Sequence, residues 1–321
     1  MFNVIRYFPI IVLLIFQACT QPGFKTDNNT LLDSNNKPFV IRGVNNPNIW
    51  YPQKAYDALE CIAQKGTNCI RVVWETNGKC EELEKIILRC IELEMVVMIE
   101  LHDATGDSSN QSLFNLVQYY TQSDIKEMLL KYEDYLLINI ANEWGNHLLD
   151  DQYWYSSYKS SVSLLREAGY STTIVIDGSG WGQDISPILS YGNALIDGDK
   201  NHNILFSIHM YGSWNSEESI DRQLNKAKKL RLPIIIGEFG YNFQNGINNL
   251  ACKVNHLKIL ETCNRLGYGY IAWSWTGNNE DNAWLNLVDP NDWQTLSYWG
   301  DQVFNSEFGI ANTSVKASIF D

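Results

Sequence analysis

Two glutamates, Glu143 and Glu238, each close an apolar run, and each is followed directly by an aromatic residue. A carboxyl group that stays protonated can donate a proton to a leaving oxygen, while an ionised carboxylate can attack the carbon across the same bond. Hydrolysis of a glycosidic bond needs both groups. The pair therefore predicts an active site whose surroundings hold the two pKa values apart.

Other polar residues end further apolar runs, and they are the types that support such a pair. Arg71, His209 and Tyr211 can donate hydrogen bonds that keep one carboxylate ionised. Each of them alone also has a structural interpretation, as an ion-pair partner or a hydrogen-bonded core residue. Because all of them fall at the ends of such runs, the combination favours a catalytic cavity.

The apolar runs number eight, and amphipathic stretches typical of helices lie between them. Each run is nearly continuous in branched aliphatic or aromatic side chains, as in parallel strands that are buried on both faces. The alternation predicts one α/β domain, a closed (β/α)8 TIM barrel, whose active site lies at the carboxyl ends of the strands. The predicted strands are Phe39–Asn45, Asn68–Trp74, Met95–Asp103, Tyr135–Trp144, Thr172–Gly178, Asn203–Tyr211, Pro233–Gly240 and Gly269–Trp275.

An open, doubly wound sheet would share this alternation of strands and helices. That fold carries a glycine-rich nucleotide loop after its first strand, whereas this chain has Val44-Asn45-Asn46-Pro47 there. The closed barrel is therefore the favoured architecture. The helical stretches between the strands include Lys54–Gln64, Glu81–Glu92, Asp151–Ala168, Glu217–Lys229 and Leu250–Leu266.

The amino-acid composition limits the classes of molecule that the protein can bind. The formal net charge is −13, and an acidic surface repels nucleic acid and anionic lipid, so a neutral substrate fits best. The 11 Trp and 17 Tyr suit sugar binding, because a flat ring packs on the apolar face of a pyranose, although a large core would also use them.

The sequence lacks the residue patterns of other classes of enzyme. His102, Asp103 and His209 are candidate metal ligands, but the sequence shows no His-x-x-x-His motif and no clustered Cys/His spacing. Gly178-Ser179-Gly180 lacks the spacing of a serine-hydrolase elbow. We therefore expect neither a metal nor an organic cofactor.

Residues 1–18 are typical of an export signal, with Arg6 as their only charge and an apolar run from Tyr7 to Phe16 that is too short to span a bilayer. Ala18-Cys19 is similar to a bacterial lipoprotein cleavage box, although Phe16 departs from the usual Leu. We expect Cys19 to be lipidated, residues 19–30 to form a polar tether and residues 31–321 to form the catalytic domain. The protein is then secreted or on the cell surface, with plain secretion as the alternative to the lipid anchor.

Six further cysteines follow Cys19, and an exported protein can pair some of them. Cys80 and Cys90 fall on one predicted helix about 15 Å apart, beyond the separation of about 7 Å that a disulfide tolerates. A bridge among Cys61, Cys69 and Cys90 stays open, alongside buried free thiols.

The motifs resemble glycoside hydrolase family 5 of clan A, and within it the bacterial endo-β-1,4-mannanases. The resemblance covers the chain from Phe39 to Phe304. An Asn-Glu at the end of the fourth strand, with a Glu ending the seventh, is the clan signature. The stretches that point to mannanases over cellulases are His102-Asp103-Ala104-Thr105-Gly106 and Gly180-Trp181-Gly182-Gln183.

The resemblance implies a retaining, endo-acting enzyme that cleaves β-1,4-mannosidic linkages in mannan, glucomannan or galactomannan by double displacement. It implies Glu143 as the acid/base and Glu238 as the nucleophile. It also implies substrate-binding residues: Asn142 on the sugar 2-hydroxyl, Arg71 and Tyr211 around Glu238, His209 beside the acid/base, His102 and Trp273 at the −1 subsite, and Trp50 and Trp181 as outer platforms.

Two loops at the substrate end depart from the mannanase pattern. Asn46-Pro47-Asn48 stands where those enzymes usually carry His, and Thr276 stands where they usually carry Lys. Both changes leave the glutamates intact, and they keep an endo-β-1,4-glucanase or another β-glycanase of the family as the alternative function. A non-catalytic, surface glycan-binding lipoprotein is a second alternative, which the presence of both glutamates disfavours.

Overall fold

A computed structural model of the protein describes residues 22–247 and 249–321. Eight parallel strands close into a barrel in which strands that follow each other along the chain pair in space, and the last pairs with the first. This confirms the predicted single-domain (β/α)8 TIM barrel. A short antiparallel hairpin, β1 (Lys25–Asp27) and β2 (Thr30–Leu32), precedes the barrel strands, which are β3 (Arg42–Asn46), β4 (Cys69–Trp74), β5 (Val96–Leu101), β6 (Leu136–Asn139), β7 (Ile174–Asp177), β8 (Ile204–Met210), β9 (Ile234–Phe239) and β10 (Gly269–Ala272).

The eight barrel strands are buried along their whole length because both of their faces are covered. Successive side chains of a strand point to opposite faces. Along β5, Val96 and Met98 belong to a small cluster that fills the barrel interior, whereas Val97, Ile99 and Leu101 belong to the large core between strands and helices. The apolar filling of the interior stops below the carboxyl ends of the strands, and polar side chains occupy the inward positions above it.

The helices surround the barrel, and their ends follow from local sequence. Asp150 accepts hydrogen bonds from the backbone N–H groups of Gln152 and Tyr153 at the start of α5, and Gly169 ends that helix in the left-handed conformation. The helices are α1 (Pro52–Gln64), α2 (Cys80–Glu92), α3 (Asn110–Thr121), α4 (Ser123–Lys131), α5 (Asp151–Ala168), α6 (Ser186–Gly198), α7 (Glu217–Lys229), α8 (His256–Leu266), α9 (Tyr298–Asn305) and α10 (Ile310–Thr313).

One predicted helix is shorter in the structure than in the sequence analysis. The stretch Leu250–Leu266 begins with a separate 3-10 turn, Leu250–Cys252, and the α-helix starts only at His256. The reason is Asn255, whose side chain accepts the backbone N–H of Lys258 and so caps a new helix start.

The predicted tether of residues 19–30 is wrong over its described part, because residues 22–30 belong to the folded domain. Phe24 is fully buried and joins the cluster inside the barrel. The backbone of this segment is also tied down: Gly23 donates its N–H to Asp134 at 2.8 Å, and Asn203 donates its side-chain N–H to the carbonyl of Phe24 at 2.8 Å. The expected export signal, residues 1–18, and Cys19 lie outside the described residues.

The described cysteines are all unpaired, so the open question of a bridge among Cys61, Cys69 and Cys90 is resolved in favour of free thiols. Cys69 and Cys90 are fully buried, and burial raises the pKa of the Cys90 thiol to about 12. Within residues 22–247 and 249–321, no helix has the length and apolar character needed to cross a membrane.

Replacing Phe24 with alanine should destabilise the domain strongly, because the ring fills the end of the barrel interior and leaves a cavity when removed. We expect urea denaturation to show a loss of about 3 kcal/mol or more in the free energy of unfolding. The matched control is Phe114→Ala, since that ring is 41% exposed. If both variants lost the same small amount of unfolding free energy, residues 22–30 would be a tether after all.

Candidate active site

A cavity of about 560 Å³ opens at the carboxyl ends of the barrel strands. It is the place where the sequence analysis expected an active site. Eight of the ten predicted site residues line it: Glu143, Glu238, Trp50, His102, Asn142, Trp181, Tyr211 and Trp273. Arg71 and His209 lie directly behind this lining and bond to the two glutamates.

Glu238 faces the cavity because β9 carries a bulge. The register of β8 with β9 pairs Ile208 with Ile236 but His209 with Glu238, so Gly237 is the extra residue. A Cβ on Gly237 would lie 2.1 Å from Ser207 Oγ, so any residue with a side chain would clash at this position. The bulge therefore turns toward the interior a side chain that strict alternation would direct to the helices.

The Glu238 carboxylate is held by two donors. Arg71 Nη1 donates to Oε1 at 2.9 Å, and the Tyr211 hydroxyl donates to Oε2 at 2.8 Å. Burial raises the pKa of Glu238, and the positive charges of His209 and Arg71 oppose that rise. Burial also raises the pKa of Tyr211 well above its ordinary value, so its hydroxyl keeps the proton that it donates.

Glu143 follows the end of β6, and its backbone is strained. Its φ of 48° lies in the left-handed region, which is unusual for a residue with a side chain. The surroundings fix it there: its N–H donates to Asp177 Oδ2 at 2.9 Å, and its carbonyl accepts the N–H of Gly106 at 2.9 Å. In this conformation its carboxylate reaches His209 Nδ1 at 2.8 Å.

His209 lies between the two glutamates. Its Nδ1 is 2.8 Å from Glu143 Oε1 and 3.5 Å from Glu238 Oε2. Burial opposes a charge on this ring, but the carboxylates of Glu238, Asp177 and Glu143 outweigh it and raise the pKa of His209 to about 9. A carboxylate oxygen of each glutamate and a ring nitrogen of His209 all lie within 4.8 Å of one another.

Aromatic rings form one wall of the cavity. His102 and Trp273 are stacked, with ring centroids 5.8 Å apart and planes 24° from parallel. Trp50 packs edge-on against both, at centroid distances of 5.0 Å from His102 and 6.5 Å from Trp273. The result is an apolar wall beside the carboxylates, which suits the apolar face of a sugar ring.

Trp181 belongs to the opposite side of the cavity, where it packs edge-on against His147 at a centroid distance of 4.7 Å. A Cβ on Gly106 would lie 2.3 Å from Trp181 Nε1, so the glycine is needed for this ring to lie against the loop. The indole stays 37% exposed. Trp181 and Trp50 are therefore both partly exposed rings of the cavity surface.

Two buried carboxylates of the site, Glu100 and Asp177, were missed by the sequence analysis. Glu100 Oε1 is 3.0 Å from His102 Nδ1, and both carboxylates lie 3.7 Å from the Arg71 guanidinium. The available signal was the two-residue period of the strands, because Glu100 continues the inward series of Val96 and Met98. A charged side chain inside a buried strand needs a partner, so each one marks the polar layer.

Glu143, His209 and Glu238 are also the one group among the described residues whose spacing would suit a metal ion. Arg71 at 2.9 Å from Glu238 and a histidine with a raised pKa would both repel a cation there. The chemistry of this donor set therefore fits a proton-transferring pair better than a metal centre.

Comparisons with known proteins agree with this geometry. A family model described as cellulase (glycosyl hydrolase family 5) matches residues 32–279. The chain is 36% identical over 308 residues to a protein named mannan endo-1,4-beta-mannosidase from Salipaludibacillus agaradhaerens, covering 93% of this chain and 96% of that protein. It is 30% identical over 317 residues to one of the same name from Cellvibrio japonicus (strain Ueda107), covering 96% and 72%.

A solved structure, the beta-mannanase from Thermomonospora fusca, superimposes with a TM-score of 0.86 at 33% sequence identity, covering 94% of this chain and all of that one. The barrel and the carboxylate pair thus define a glycoside hydrolase. The chain belongs to glycosyl hydrolase family 5.

Activity should not depend on a metal ion. We expect hydrolysis of a soluble β-glycan to be unchanged after incubation with EDTA and dialysis, because proton donation and carboxylate attack need no Lewis acid. Circular dichroism of the treated protein is the control for unfolding. Loss of activity from a still-folded protein, restored by one divalent ion, would contradict the expectation.

Proposed function

We propose that this chain is a retaining, endo-acting enzyme that hydrolyses β-1,4-mannosidic bonds in mannan, glucomannan or galactomannan. The observation on which the retaining mechanism rests is the separation of the two glutamates, since a carboxylate oxygen of Glu143 lies within 4.8 Å of one of Glu238. Retaining enzymes hold their carboxyl groups about 5–5.5 Å apart, and inverting enzymes hold them farther apart to admit a water. The substrate follows from relatives named mannan endo-1,4-beta-mannosidase and from a relative solved as a mannohexaose complex.

In this proposal Glu238 attacks the anomeric carbon and forms a covalent glycosyl-enzyme, while Glu143 protonates the departing oxygen. Arg71 and Tyr211 hold the Glu238 carboxylate in the ionised, oriented form that attack requires. Glu143 then removes a proton from the incoming water, which releases the sugar with its original configuration. His209, 2.8 Å from Glu143, fixes the position of that carboxyl group.

The other predicted residues bind the sugar at and around this centre. Asn142 lines the cavity and contacts the 2-hydroxyl of the sugar in the −1 subsite. Its amide is held in place on both sides: the Arg71 guanidinium donates to its Oδ1 at 2.8 Å, and one hydrogen of its Nδ2 is donated to Thr105 Oγ1 at 2.9 Å. Trp273 and His102 form the wall on which that sugar packs. Trp50 and Trp181 carry sugar units farther along the groove.

An endo-β-1,4-glucanase is the second candidate. A relative from Caldicellulosiruptor saccharolyticus, 30% identical over 303 residues, is named beta-mannanase/endoglucanase A, and the match covers 91% of this chain but 22% of that protein. Glucan and mannan differ at the 2-hydroxyl, so the groups around the −1 sugar decide between them.

The substrate is tested by measuring the reducing sugar released from galactomannan, glucomannan and carboxymethylcellulose. We expect release from the two mannans, with oligosaccharides as early products, and little from the cellulose derivative. Glu238→Gln is the matched inactive control. Faster release from carboxymethylcellulose than from galactomannan would replace the mannanase proposal with the glucanase.

Azide tests the two glutamate roles separately. Glu238→Ala should lose turnover and regain part of it with azide, which enters the vacated space and gives an α-configured glycosyl azide from an activated aryl β-mannobioside. Glu143→Ala should keep the first step on that substrate and give the β-configured azide. The reverse pairing, read by NMR of the products, would exchange the roles.

We further propose that the protein is exported and anchored to the cell surface through a lipid on Cys19. The support is the sequence of residues 1–19, with an apolar run followed by Ala18-Cys19. We expect the full-length protein expressed in a bacterium to incorporate labelled fatty acid and to partition into Triton X-114. A Cys19→Ala variant is the control, and equal labelling of both proteins would refute the anchor.

A further inference from the structure

We propose that Asp177 is a positioning residue of the reaction, which holds the acid/base Glu143 from behind through its backbone and through His209. This proposal rests on the function proposed above. Asp177 ends β7, its side chain is fully buried, and it does not line the cavity. It therefore acts on the reaction only through other residues.

The Asp177 carboxylate contacts residues of three other barrel strands, β4, β6 and β8, and the residue Glu143 that follows β6. Its Oδ2 accepts the backbone N–H of Glu143 at 2.9 Å and lies 3.4 Å from His209 Nε2 and 3.7 Å from Arg71 Nη2. Its Oδ1 accepts a side-chain N–H of Asn139 at 3.2 Å. Two of these four residues contact the reacting glutamates directly, so displacement of this carboxylate would be transmitted to both.

The first effect is on the backbone of Glu143. A residue with a side chain at a φ of 48° persists only where its surroundings enforce that conformation. The acceptor on its N–H is Asp177, and the donor on its carbonyl is Gly106. Without Asp177 the buried N–H loses its acceptor, and the side chain that follows it is no longer held at its bonding distance from His209.

The second effect is on the charge of His209. This ring lies between two carboxylates, with Nδ1 toward Glu143 and Nε2 toward Asp177. The other charged groups that face it are Glu238 on β9, 3.5 Å away, and Arg71 on β4, which bonds to Glu238. Nδ1 bonds to Glu143, whereas Nε2 lies 3.4 Å from Asp177 without an aligned hydrogen bond, so Asp177 favours the imidazolium through its negative charge.

The sign of the pH effect follows. His209 is charged below its pKa of about 9, and removing a neighbouring negative charge lowers that pKa. The imidazolium would then be lost at a lower pH. The alkaline limb of kcat/KM should accordingly move to lower pH when Asp177 is neutralised, by about one pH unit or less.

The test compares Asp177→Asn with Asp199→Asn. The asparagine at 177 keeps an oxygen acceptor but removes the charge. Asp199 is an equally buried carboxylate, paired with Arg166 at 2.9 Å, and it lies at the opposite end of the barrel, where Arg166 also bonds to the carbonyls that precede β7 and β8. Both variants lose a buried ionic contact, so the control reports general destabilisation.

For Asp177→Asn we expect kcat/KM on mannohexaose to fall about 10- to 100-fold, mostly through kcat, because acid catalysis is impaired. On an aryl β-mannobioside with a good leaving group the loss should be a few-fold at most. The alkaline limb should move to lower pH in this variant only. Equal losses on both substrates with an unmoved pH profile would show that Asp177 is merely structural.

A measurement on the unaltered protein covers the case in which Asp177→Asn does not fold. Nitrogen-15 NMR of the histidine rings reports their protonation directly, and the chain has five histidines to assign. We expect His209 to be doubly protonated at pH 7.5. A neutral ring would overturn the proposal even if mannan is hydrolysed, whereas an imidazolium in a protein inactive on mannan would sink only the proposed substrate.

Discussion

The buried guanidinium of Arg71 is the interaction on which the rest of the site depends. It is fully buried in the barrel interior, where an unpaired charge would be very costly. The polar layer at the strand ends is built around it: its N–H groups donate to Asn45, Asn139, Asn142 and Glu238 at 2.8–3.1 Å. The same network that compensates the buried charge also fixes the orientation of the Glu238 carboxylate and of the Asn142 amide at the cavity.

Charge balance explains why this layer contains more carboxylates than the reaction uses. Glu100 and Asp177 contribute negative charge 3.7 Å from Arg71, and each also lies beside one of the two histidines. If one charged side chain of a buried group of ion pairs is removed, the charges of its partners stay buried without compensation. The layer is therefore a coupled unit, in which a change at one carboxylate alters the charge state of its neighbours.

Much of this site could be predicted because the barrel repeats one rule, that chemistry lies at the carboxyl ends of strands. Glu143 and Glu238 were found there with all their predicted neighbours. The two-residue period of the strands predicted fewer of the site residues. Asp177 was not recognised because it lies within an apolar run. The bulge at Gly237 breaks the alternation of inward and outward side chains, so the period alone could not have placed Glu238 in the interior. The hairpin of residues 25–32 was missed because strands of three residues are too short to show a period. It adds only Leu31 to the apolar cluster inside the barrel, next to Phe24 just before it.

The hairpin has a geometric consequence for a protein held at a surface. It packs at the amino-terminal ends of the barrel strands, where Gly23 and Phe24 bond to Asp134 and Asn203. Only Thr20 and Gln21 separate Cys19 from Pro22, so a lipid on Cys19 would hold that end of the barrel against the bilayer. The groove would then open outward, away from the cell, where a long polysaccharide chain can enter it without having to pass between the enzyme and the membrane.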